Sequence, residues 1–146
     1  MAVSVQHEDF DLAAETAALS AGRSDIGAIA TFLGLVRGDG GLVAMSLEHY
    51  PAMTEKALAG IVAQAEARWP LQAVRVIHRV GRLLPGERIV FVGVASSHRA
   101  AAFEACAFIM DYLKTRAPFW KKEETPEGAR WVDARDSDEA ALARWA

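Results

Sequence analysis

The sequence predicts an α+β fold with a mainly antiparallel sheet, because segments of strand character alternate with segments of helical character along its 146 residues. Prolines mark the helix ends: Pro51 opens one helix, Pro70 closes it, and Pro118 stops another. The stretch from Arg88 to Glu124 is the most informative. It reads as a buried strand, a polar corner with His98 and Arg99, a long amphipathic helix, and a proline stop followed by two aromatics and a lysine pair.

Taken in order, Val3 to Val5 suits a short strand, and Asp9 or Asp11 caps a helix through Leu12, Ala17 and Leu19 that ends near Gly22. Ile26 to Val36 is nearly continuous in apolar, β-favouring residues, which predicts a strand buried on both faces. Arg37 ends it, and G-D-G-G at 38–41 forms a flexible turn. Val43, Met45, Leu47 and His49 alternate with Ala44, Ser46, Glu48 and Tyr50, a second strand expected to pair antiparallel with the first.

A helix follows from Pro51 to about Trp69, with Met53, Ala57, Leu58, Ile61 and Ala65 at helical spacing. Val74, Val76 and His78 form one face of a third strand. Leu84-Pro85-Gly86-Glu87 is a tight turn into a strand from Ile89 to Ala95. The central helix runs from about Ser97 to Arg116. After the turn signal P-E-G at 126–128, a last helix spans Ser137 to Trp145. Neither a repeat nor a linker interrupts the pattern, so a single domain over 1–146 is expected.

Composition narrows the function classes. Apolar residues make up 52% and charged residues 24%, ordinary for a globular protein. A net charge of −3 argues against nucleic acid, which needs a dominant basic face, so any positive site must be local. No apolar run approaches the roughly 20 residues that span a bilayer, and the N-terminal residues lack the pattern of a signal peptide. One cysteine, Cys106, allows no internal disulfide and fits a cytoplasmic setting.

Cationic groups sit at both ends of the central helix. At its start, Ser96-Ser97-His98-Arg99 places free backbone N–H groups, an imidazole and a guanidinium where a phosphate or carboxylate binds well. The plainer reading makes Ser96 or Ser97 an N-cap and Arg99 a solvated first-turn residue. At its end, Lys114 suits the negative pole of the helix dipole. Pro118 then turns Phe119-Trp120-Lys121-Lys122 into a fixed connection in which aromatics can desolvate a lysine. An exposed basic turn neutralised by Glu123 and Glu124 is the alternative. Arg37, at a strand end beside a glycine loop, is placed to contact a ligand or simply to be solvated.

Other groups carry less. His7, His49 and His78 show no metal-ligand spacing, Cys106 reads as core, and no nucleophile elbow accompanies His98, Glu104 and the serines.

F-L-G-L-V-R at 32–37, L-E-H-Y-P-A-M-T-E-K-A-L at 47–58, H-R-V-G at 78–81, S-H-R-A-A-A-F at 97–103 and M-D-Y-L-K-T-R-A-P-F-W-K-K-E at 110–123 together resemble the MoaE family, the large catalytic subunits of molybdopterin synthase. The resemblance covers Gly27 to Trp145. It implies an α/β hammerhead fold, a homodimer, and a heterotetramer with two copies of a small ubiquitin-like sulfur-carrier subunit. The carrier would bring sulfur as a thiocarboxylate on its C-terminal glycine, and cyclic pyranopterin monophosphate would become the dithiolene of molybdopterin with no further cofactor. By the same resemblance Lys114 and Lys121 are catalytic. Substrate would be bound by Leu35 through its backbone, Val36, Arg37, His98, Arg99, Lys114, Lys121, Lys122 and Glu123, with Phe32, Met110, Phe119 and Trp120 as apolar walls. A rival of another class is a noncatalytic anion-binding or scaffold subunit whose lysines serve partner docking alone.

Arg99 and Lys114 lie 15 helical positions apart, about 22 Å along the axis, too far to grip one pterin-sized molecule from a single helix. A site shared across a two-fold dimer is the expected resolution.

Overall fold

The computed structural model describes residues 2–132 and 136–145. The elements are β1 (Val3–Gln6), α1 (Leu12–Ala18), β2 (Ala28–Leu35), β3 (Ala44–His49), α2 (Pro51–Arg68), β4 (Ala73–Arg79), β5 (Gly81–Leu83), β6 (Arg88–Ser96), α3 (Arg99–Arg116), β7 (Phe119–Thr125), β8 (Gly128–Val132) and α4 (Asp136–Ala143). Asp11, rather than Asp9, caps α1 by accepting from the Ala14 N–H at 3.1 Å, and the helix stops at Ala18, short of Gly22. Among the described residues no helix is long and apolar enough to cross a membrane.

The strands form two sheets where one was expected, and the α+β class holds. The first has the order β1-β4-β6-β2 and the second β5-β3-β7-β8. Among the described residues every pairing is antiparallel except that of β1 with β4. The alternation read along β3 is present, but its expected partner is wrong: β3 pairs with β5 and β7, not with β2. The G-D-G-G segment is therefore a crossing between sheets. The chain leaves the first sheet at Val36, whose N–H donates to Glu87 O at 2.9 Å, and joins the second at Val43, whose N–H donates to Glu124 O at 2.8 Å. Alternation fixes which side chains face inward and says nothing of which strand lies alongside.

A second correction concerns β2. It is the edge of its sheet and is not buried on both faces: Phe32 is 39% and Leu35 54% exposed. The segment after Pro118 is likewise strand β7, not a turn, and β8 hairpins back on it through Pro126 and Glu127.

Strand β6 is the spine of the first sheet, and its period of two divides the core. Val90, Val92 and Val94 point into one cluster with α2 and α3, while Phe91 and Ala95 pack with Phe10, Leu19 and Ile77 on the other face. The larger cluster continues to Met45, Leu47 and Leu83 of the second sheet. Helix α3 lies across β6 and β2 and beside α2, burying Ala102, Ala105, Phe108, Ile109 and Leu113. Each such residue is worth about 1.5–3 kcal/mol of burial when it is of Leu or Phe size, so α3 is held firmly along its length.

The corner between β6 and α3 is set by close packing. The Gly27 N–H donates to Ser96 O at 3.0 Å, and a side chain at Gly27 would collide with the Ser97 carbonyl. Ser96 Oγ donates to Pro70 O at 2.8 Å and Ser97 Oγ to Asp25 O at 3.0 Å. Those hydroxyls are committed elsewhere, so neither serine caps α3; His98 holds the N-cap position with no side-chain cap bond.

Two glycine substitutions separate these effects. Gly27→Ala must move backbone and should lower unfolding free energy by about 1–3 kcal/mol in urea titration. Gly60→Ala, on the exposed side of α2 with open space around it, should raise stability by roughly 0.5–1 kcal/mol.

Candidate active site

A cavity of about 560 Å³ opens where the end of β2, the end of α3, and strands β3 and β7 meet. Arg37, Lys114, Lys121 and Glu123 line it together with Leu35 and Val36, and Met45, Leu47, His78 and Phe119 contribute further wall. Seven of the residues singled out from the sequence thus converge, Phe119 among them, though they come from three separate stretches of chain.

Each is placed by local chemistry. Val36 is only 3% exposed and is gripped by the 84–87 turn, with Gly86 N–H donating to Val36 O at 2.7 Å. Arg79 reinforces the turn from below: its guanidinium donates to Glu87 Oε1 at 3.3 Å, to Arg88 O at 2.9 Å and to His7 O at 3.0 Å. Glu87 Oε2 in turn accepts the Leu84 N–H at 2.6 Å. Arg37 therefore starts from a fixed backbone. Its side chain pairs with Asp39 at 3.1 Å, both groups being largely exposed, a contact worth at most about 1 kcal/mol.

Lys114 sits in the last turn of α3, just after buried Leu113. Ala117 and Pro118 then reverse the chain into β7, whose register sets Phe119 opposite His49, Lys121 opposite Leu47 and Glu123 opposite Met45. The two-residue period sends Phe119, Lys121 and Glu123 toward the cavity.

Lys122 does not join them. It falls on the other face of β7, its ammonium 5.5 Å from the centre of the Trp131 ring. Trp120 also points that way, packing edge-on against Tyr50 at 4.8 Å and lining a separate cleft of about 350 Å³ with Glu48, His49 and Trp131. Met110 is buried, and Phe32 lies out on the edge strand. His98 and Arg99 are exposed at the far end of α3 and line neither cavity.

His78 has no ligand spacing in the sequence, yet it lines the cavity at only 5% exposure. Its ring stacks on Phe119 at 4.0 Å with the planes 23° apart. Its Nδ1 lies 2.8 Å from Arg79 O. Burial pushes its pKa down from the usual 6.5 to about 4, and the charge of Lys114 pushes in the same direction. The one sequence signal was its position on the inward face after Val74 and Val76. Among the described residues no cluster of His, Cys, Asp and Glu is suited to a metal ion.

Comparison with known proteins adds a family. A family model described as MoaE protein matches residues 5–116. The molybdopterin synthase catalytic subunit of Ralstonia nicotianae is 64% identical over 146 residues, covering 98% of this chain and 83% of the relative. A solved structure, the molybdopterin biosynthesis MoaE protein from Burkholderia ambifaria, superposes with a TM-score of 0.87 at 60% identity, covering 99% of this chain and 98% of that one. A complex of subunits 1 and 2 of molybdopterin-converting factor from Helicobacter pylori matches with a TM-score of 0.78 and 92% coverage of each chain. At 19% identity that is a likeness in fold alone.

The buried imidazole predicts acid sensitivity. The unfolded chain takes up a proton on His78 near pH 6.5, whereas the folded chain resists until about pH 4. This contribution to stability is complete above pH 6.5 and is lost as pH falls toward 4, by an amount on the order of 3 kcal/mol. Urea titrations at pH 7 and pH 5 should show the decline, and it should be smaller in His78→Phe.

Proposed function

The chain belongs to the MoaE family and acts as an enzyme of molybdenum cofactor biosynthesis, and we propose that its cavity is where a cyclic pyranopterin monophosphate receives sulfur from a carrier thiocarboxylate. One observation carries this reading: Lys114 and Lys121, from α3 and β7, converge with Arg37 on one cavity walled by Phe119, Met45 and Leu47. Arginine recognises phosphate, the apolar wall accepts a pterin, and the lysines serve the transfer steps by moving protons and stabilising developing negative charge. In this reading a small sulfur-carrier subunit threads its glycine tail past Phe119, and no cofactor is required because sulfur arrives on that partner.

His98 and Arg99 complete the site from a second copy of the chain. Helix α3 keeps them away from Lys114 of the same chain, about 22 Å along its axis. Phe103, one turn beyond Arg99, is 66% exposed, and Phe32 on the neighbouring edge strand is 39% exposed. Apolar surface beside a cationic helix start suits a two-fold interface that delivers His98 and Arg99 to the partner's cavity.

Dithiolene formation from the cyclic phosphate and thiocarboxylated carrier tests the reaction. Lys114→Ala should cut kcat by about 10²–10⁴-fold while the carrier complex still forms. Equal turnover at saturating substrate would remove the assignment in favour of a docking role.

The shared site has its own check. Arg99→Ala should chiefly raise KM, by roughly tenfold or more for a lost charged contact. Subunit exchange between Arg99→Ala and Lys114→Ala proteins should restore activity through mixed dimers with one intact site; no recovery after proven exchange overturns sharing.

A further inference from the structure

His78 is a buried polar side chain in the cavity to which the sulfur-transfer reading gives no task. His78 reaches it from β4, a strand of the first sheet, whereas Lys121 comes from the second sheet and Lys114 from helix α3. It stacks on Phe119 of the strand that carries Lys121 and lies close enough to Lys114 to feel its charge.

Its orientation is determined. The Arg79 carbonyl oxygen can only accept, so at 2.8 Å the Nδ1 of His78 must carry the proton. In the neutral ring Nε2 is then an acceptor with a lone pair and no proton. Stacking on Phe119 fixes the ring plane, because Phe119 is itself held opposite His49 in the β3–β7 register. A ring pinned through one nitrogen and one face has a single direction left for the other nitrogen. The same geometry keeps the ring neutral, since a second proton would add positive charge in a buried site near Lys114.

We propose, building on the sulfur-transfer reading, that His78 is a positioning residue: its neutral ring, fixed by Arg79 and Phe119, offers Nε2 as hydrogen-bond acceptor to the Lys114 ammonium and so sets that amine relative to Lys121. Lysine is a flexible four-carbon chain, and an amine that moves a proton in a transfer step must be held within about half an ångström of its working place. A carboxylate there would pair with the ammonium and hold it too strongly. An apolar residue would leave it unaligned. A neutral imidazole supplies direction without charge. Lys114 on α3 and His49 on β3 act on the ring electrostatically, and Lys121 and Glu123 on β7 and Arg37 with Asp39 after β2 share its cavity.

The test uses the complete complex with thiocarboxylated carrier and compares wild type, Lys114→Ala, His78→Phe and His78→Gln. Phenylalanine retains a ring to stack on Phe119 but accepts no hydrogen bond; glutamine restores an acceptor. His78→Phe should lower kcat by roughly ten- to a hundredfold with KM within about twofold, and displace the kcat–pH profile toward lower pH, with partial recovery in His78→Gln. Wild-type kcat and pH profile in His78→Phe overturn the proposal. If instead Lys114→Ala is as active as wild type, it is the sulfur-transfer reading that fails. Should His78→Phe not fold, nitrogen NMR of the His78 ring decides: Lys114→Ala should shift the Nε2 resonance, and an unchanged resonance overturns the contact.

Discussion

Helix α3 cannot bring its two ends together, because eighteen residues of regular helix form a rod about 27 Å long. Nor can it bend to compensate. Ala102, Ala105, Phe108, Ile109 and Leu113 lock it against β6, β2 and α2 along its whole length. Its C-terminal end falls at the seam where the cavity opens, with Leu113, Lys114 and Thr115 in the lining. His98 and Arg99 fall at the opposite end by the same constraint. The separation of the two cationic ends follows from the length of this one helix.

At the seam, a second constraint sorts the charges. Pro118 ends α3 and delivers the chain into β7 with its phase already set by pairing against β3. From there the alternation of a strand decides that Lys121 enters the cavity and Lys122 leaves it. Adjacent lysines that look equivalent in the sequence thus have different surroundings: one beside Phe119, Leu47 and His78, the other over Trp131. This distinction became readable only once the segment was known to be a strand. K-K-E-E has little intrinsic preference for one, and the proline before it signals a turn as readily as a strand start.

Local signals were legible, and distant partnerships were not. The bounds of α2 and α3, the strand β6, and the placing of Arg37, His98, Arg99 and Lys114 at element ends all came from caps, prolines and periodicity within a few residues. The partner of β3 did not, since the glycine-rich segment beside it permits a hairpin and a crossing equally. What decides is pairing with β7, some seventy-five residues away, together with the grip of the 84–87 turn on Val36. His78 was hidden for a related reason. A histidine three-dimensionally surrounded by Phe119 and Lys114 has none of those neighbours in its own stretch of sequence.

Sulfur chemistry must also be reconciled with the chain's own sulfur. Cys106 is buried in the middle of α3, and burial pushes its thiol up to about 11, so it stays protonated and unreactive at neutral pH. With that thiol sealed in the core, the chain offers no cysteine to carry sulfur into the cavity. Its equipment there is of another kind: two lysines, an arginine on a fixed backbone and a buried imidazole. Such a site suits sulfur that arrives already activated on an incoming acyl group, because the transfer then needs only alignment and electrostatic stabilisation.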